Sequence, residues 1–162
     1  MALTKVVFYQ LEDTSEVVDA EEVYSFALIL EILQQSYRIN QRVFIHCQEQ
    51  QQMHYLDEQI WSYEGNHFLA HSIEGESSCN KSPIVLGTHY PDKMGSFAMV
   101  LNLSEVPLFD FERLQQITEI VPSASHEKQQ AREKFKQYAQ KGFQPVFQTM
   151  KLSEINKVAH ES

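Results

Sequence analysis

Apolar residues recur along the chain with two distinct periods. Residues 4–10 (TKVVFYQ) are β-branched and aromatic, which predicts a buried opening strand. An acidic stretch from Glu12 to Glu22 follows. Val23, Phe26, Ala27, Leu30, Leu33 and Tyr37 then recur at helical spacing, with Asn40 as the stop signal. Residues 42–47 (RVFIHC) read as a second strand. Gln48 to Trp61 reads as a second helix, with Met53, Leu56 and Ile60 facing inward and Trp61 a further candidate for that face. Residues 62–82 are rich in Gly, Ser, Asn and His and predict loop, with a short strand at Phe68–Ile73. The apolar runs 83–88 and 98–104 are bounded by turn residues and predict strands. Phe109 to Gln116 reads as a short helix, and Ile117 to Val121 as a strand ended by Pro122. Ser125 opens a last long helix that runs to about Lys141, with Gly142 as its C-terminal cap. Gln144 to Met150 predicts an edge strand, and residues 151–162 a loose polar helix or tail.

Short strands alternating with helices predict a three-layer α/β/α arrangement around a largely parallel sheet. A length of 162 residues fits one domain, expected over 1–150 with 151–162 as a polar C-terminal extension. Hydrophobic residues make up 43% of the chain, enough for a core that needs neither disulfide nor metal. No apolar run reaches the roughly 18 residues of a membrane span, and Met1 to Tyr9 lacks the flanks of a secretory signal, so a cytoplasmic protein is expected. In that compartment Cys47, at the end of an apolar run, and Cys79, in a polar loop, are expected to stay reduced.

Charge changes the picture more than composition does. Residues 1–125 hold 6 Lys/Arg against 18 Asp/Glu, a balance of −12, whereas residues 126–143 hold 5 against 2, a balance of +3. A local basic segment on an acidic body disfavours strong direct DNA binding but can attract an acidic peptide.

An α/β sheet invites a nucleotide-binding reading, and the residues argue against it. The five glycines, at 65, 75, 87, 95 and 142, form no phosphate loop, and Leu11-Glu12-Asp13-Thr14 is acidic where a phosphate would sit. His67, His71 and Glu74 are spaced as a weak metal candidate, outweighed by a reading as polar loop residues. Ser78-Cys79-Asn80-Lys81 lacks any nucleophile-elbow pattern, and Asp57–Glu58 reads as a solvent-facing pair on a helix. No catalytic residue, cofactor or metal is expected.

The last long helix carries the one constellation with a chemical signal. Lys128, Arg132 and Lys136 recur every four residues and stack on one face, beside an apolar face of Ala131, Phe135 and Tyr138. One reading is a solvated basic face above a core stripe. The other is a receptor for a short acidic peptide that ends in an apolar residue and a free carboxylate. Arginine binds such a carboxylate bidentately while the ring holds the apolar side chain.

Several stretches are similar, in family order, to one known family: VFYQL (7–11), RVFIHCQEQQQMHYLDEQIW (42–61), FLAHSIEGE (68–76), AMVLNLS (98–104), EIVP (119–122) and QQAREKFKQYAQKGF (129–143). With them the chain resembles the chi subunit family of bacterial DNA polymerase III across residues 1–150. The LDExxW run and the AREKFKxYxxxGF run are the specific ones. The resemblance implies a Rossmann-like fold without nucleotide binding and a non-catalytic accessory role in replication. It also implies two partners: the psi subunit, which tethers chi to the clamp loader, and the acidic C-terminal tail of single-stranded-DNA-binding protein. Carried over residue by residue, the tail site falls on Lys128, Arg132, Phe135 and Lys136, with Val121 as an apolar wall. The psi-facing surface falls on Phe68 and Trp61, either of which also reads as a core residue. The family often has tyrosine at Phe135, and a further basic residue at the position of Ala139. Two alternatives remain at this level: an adaptor for a repair helicase through the psi-type surface, and a nucleotide-binding α/β enzyme.

Overall fold

The computed structural model describes residues 4–11, 26–62, 69–79, 81–91, 97–108, 114–121 and 125–150. Among these residues seven strands and three helices follow one another: β1 (Lys5–Leu11), α1 (Phe26–Arg38), β2 (Val43–His46), α2 (Gln50–Ser62), β3 (His71–Ile73), β4 (Ile84–Gly87), β5 (Met99–Asn102), β6 (Gln116–Ile120), α3 (Ser125–Gln140) and β7 (Val146–Met150). They form one seven-stranded sheet in the order β3-β4-β2-β5-β6-β1-β7. Every pairing is parallel. This is the α/β fold expected, and the sheet is wholly rather than largely parallel.

A parallel sheet must be covered on both faces, and the residues of β2 show it: Val43, Phe44 and Ile45 are all fully buried. Val43 and Ile45 join α1 and α2 in one apolar cluster with Leu33, Met53, Leu56 and Ile60. Phe44 points the other way, into a cluster with Phe8, Val100, Ile117, Ala131 and Tyr138 under α3. The sheet is thus the middle of three layers, with α1 and α2 on one side and α3 on the other. Asn40 ends α1 with a positive φ of 58°, as an asparagine past a helix C-terminus can. Gly142 does the same for α3 with φ 96°. The Cys47 thiol is buried near Glu74, and burial pushes its pKa up to about 12, so it behaves as a small hydrophobe.

Two expectations are corrected. The helix placed over Phe109 to Gln116 fails at its end: Leu114 and Gln115 are not helical and Gln116 opens β6, while 109–113 lie outside the described residues. The ladder decides here, because Gln116 is flanked by Lys5 of β1 and Met99 of β5. Trp61 does not face inward. It is 59% exposed at the last turn of α2, one position past the buried Ile60. The acidic turn at 12–14, His67 and the extension 151–162 lie outside the described residues.

Candidate peptide-binding surface on helix α3

Helix α3 lies against the sheet through Ala131 and Tyr138, seven residues apart and both buried. Residues two apart on a helix are turned by about 200°, so Lys134 points away from Arg132 and Lys136. Lys134 faces the strands and is 8% exposed. Its Nζ donates to the Ser104 carbonyl and, at 2.8 Å, to Glu119 Oε1.

Glu119 is the centre of a buried polar network. Its Oε2 accepts from the Tyr138 hydroxyl at 2.6 Å and from Asn102 Nδ2 at 2.8 Å. Tyr138 in turn accepts from the Leu108 amide, and Ser104 Oγ donates to Asn102 Oδ1. Burial pushes the Glu119 carboxyl above its usual range, against the pull of Lys134 and of the hydroxyl and amide donors. Burial and the neighbouring Glu119 also raise the Tyr138 hydroxyl, which stays protonated and donates. The network pins one flank of α3 to the C-terminal ends of β5 and β6, fixing the rotation of the helix about its axis.

That rotation leaves Arg132 and Lys136 exposed on the outer surface. Phe135 sits between the buried and exposed faces, half-buried, with its ring 5.5 Å from Phe8. On its other side it stacks on Phe147 of β7, with ring centroids 4.9 Å apart and planes 9° from parallel. Val121, at the end of β6, is half-buried against the same apolar cluster. Ala139 is exposed and offers no cation. The structure therefore brings Arg132, Phe135 and Lys136 together on one helix surface. Lys128 lies within α3. Phe68 lies outside the described residues.

Trp61 occupies a different part of the molecule, beside edge strand β3. Its ring centroid is 4.7 Å from that of His71. His71 Nδ1 lies 2.9 Å from the Leu69 carbonyl oxygen, and its Nε2 lies 2.9 Å from Asp57 Oδ1. Asp57 is therefore engaged with His71 rather than merely solvent-facing. No group of three or more His, Cys, Asp or Glu among the described residues could hold a metal ion. No helix among them is long and apolar enough to cross a membrane.

The sequence reading missed Glu119 and Lys134. The available signal was Glu119 inside the otherwise apolar run ITEIV, and Lys134 off the outward stripe, between Ala131 and Tyr138. A charge at either inward position requires a partner.

Three relatives are similar to this chain in sequence. The DNA polymerase III subunit chi of Escherichia coli K12 is 29% identical over 143 residues, covering 87% of this chain and 95% of that protein. The Pseudomonas aeruginosa subunit chi is 25% identical over 141 residues, with 87% and 93% covered. The Haemophilus influenzae subunit chi is 30% identical over 108 residues, with 66% and 74% covered. Among solved structures, T4 UvsW has a similar fold, with a TM-score of 0.58 at 9% identity over 92% of this chain and 42% of that one. The sequence profile described as "DNA polymerase III chi subunit, HolC" matches residues 3–146, and the chain belongs to that family.

Proposed function

We propose that this chain is a non-catalytic accessory subunit that links the clamp loader of DNA polymerase III, through psi, to the acidic C-terminal tail of single-stranded-DNA-binding protein. The observation that carries the reading is the exposed pair Arg132 and Lys136 flanking half-buried Phe135 on an otherwise acidic chain. A guanidinium beside an aromatic ring suits a terminal carboxylate attached to an apolar side chain. Lys128, on the same helical stripe, and Val121 complete the proposed site. Exposed Trp61, steadied by His71, is the proposed docking aromatic for psi, together with Phe68. Residues 1–150 act as one unit in the cytoplasm, without direct strong DNA binding and without membrane contact.

The mechanism is tethering. Two modest contacts on opposite parts of one small domain raise the local concentration of the polymerase assembly on coated template, and linkage makes the pair stronger than either contact alone. The test is fluorescence anisotropy with a labelled tail peptide from the cognate single-stranded-DNA-binding protein. Wild type should bind saturably, and Arg132→Ala should bind about 10- to 150-fold more weakly, the scale of one hydrogen bond to a charged group. Absence of binding by folded wild type would overturn the tail assignment. For the second contact, Trp61→Ala should lose co-purification with psi while keeping tail binding. Undiminished psi capture would remove Trp61 from that surface.

A further inference from the structure

We propose that Phe147 of edge strand β7 is the second apolar wall of the α3 site and selects the terminal side chain of the bound peptide. The inference rests on the tail-binding reading above and adds a residue that lies beyond the α3 stripe. Phe147 pairs in register with Phe8 of β1, which puts its ring on the α3 side of the sheet. One face of that ring lies on Phe135. Yet 49% of Phe147 remains exposed, and Val146 beside it is 52% exposed.

Edge strands are ordinarily blunted by charge or by a cover. Here residues 146–149 of the edge are exposed and begin with two apolar side chains. Stacked nearly parallel, Phe135 and Phe147 form one apolar block larger than a single phenyl group, open to solvent mainly through Phe147. The cations that border it, Arg132 and Lys136, stand on the helix beside Phe135. A ligand that meets both needs an apolar group to lie across the rings and an anion to reach the helix. An acidic peptide with an apolar C-terminal residue has this shape: its last side chain covers the rings and its carboxylate meets Arg132. The Phe135 ring has no hydroxyl, so selection on this wall comes from apolar area and ring stacking rather than from a hydrogen bond.

The test measures two peptides against four proteins by anisotropy. The peptides are the labelled tail with its apolar last residue and the same peptide ending in alanine. The proteins are wild type, Phe147→Ser, Phe147→Leu and Arg132→Ala. Phe147→Ser should weaken the apolar-ended peptide about three- to tenfold, the range of one aromatic contact, and leave the alanine-ended peptide nearly unchanged. Phe147→Leu should fall between, whereas Arg132→Ala should weaken both peptides. If Phe147→Ser proves unfolded by circular dichroism, Phe147→Leu alone decides, by the same difference between peptides. Equal loss on both peptides, or no loss on either, with Arg132→Ala still defective, overturns the wall and leaves the tail site standing. Failure of wild type to bind either peptide overturns both.

Discussion

Lys134 and Arg132, two residues apart on α3, take opposite fates: the first is buried against Glu119 and the second is exposed. Arg132 and Lys136 can be read from spacing alone because a stripe every four residues needs no knowledge of the partner layer. Lys134 cannot, because its role depends on which strand lies beneath it. The pair should be costly to break from one side: Lys134→Met leaves Glu119 buried without its cation and should lose about 3–5 kcal/mol in urea denaturation at neutral pH. The Glu119 carboxyl has its pKa raised by burial above the ordinary 4.5. Between those two values the folded chain keeps a proton that the unfolded chain has released, so its contribution to stability is full below about 4.5 and is lost as pH rises through the raised value. Glu119→Gln should flatten that limb of the stability–pH curve. A limb of unchanged slope would place its origin in another group. Trp61 marks the opposite limit of residue-scale reading: a tryptophan next to a buried helix position is compatible with either face, and only the turn of α2 decides between them.

Among the elements, the two helix ends were legible because their chemistry is local. Asn40 and Gly142 occupy left-handed conformations that few residues tolerate, and both stand where the apolar period stops. Gly142 also sets the direction in which the chain leaves α3 toward β7. A Cβ added there would meet nothing within 4 Å, so the cost of Gly142→Ala is conformational rather than steric. We expect about 1–2 kcal/mol lost in thermal or urea unfolding, with Gly142→Asn losing less. Equal loss in the two variants would point to packing instead. The start of β6 was illegible for the contrary reason. Gln115 and Gln116 carry no strand signal of their own, and Gln116 is extended because strands on both sides pair with it; its side-chain Nε2 donates to Thr118 Oγ1. Pairing of this kind overrides propensity.

At the scale of the whole molecule, the division of charge governs how partners approach. A basic helix on a body of balance −12 should attract an acidic tail over a short range only, so tail affinity should fall steadily as salt rises and the Debye length contracts from about 10 Å at 0.1 M. Affinity independent of salt would refute electrostatic steering. Layer count and parallel pairing could be anticipated from alternation of strands and helices, but strand order could not, since periodicity says nothing about neighbours. That order has a consequence during synthesis. β1 lies between β6 and β7, and Lys5 finds its partner in Gln116, more than a hundred residues later. At about 5–20 residues per second the ribosome needs on the order of 6–20 s to deliver that partner. Throughout that interval Val6, Val7 and Phe8 emerge as an apolar strand with neither flanking strand yet made, so the nascent chain must keep them shielded until the final third of the protein arrives.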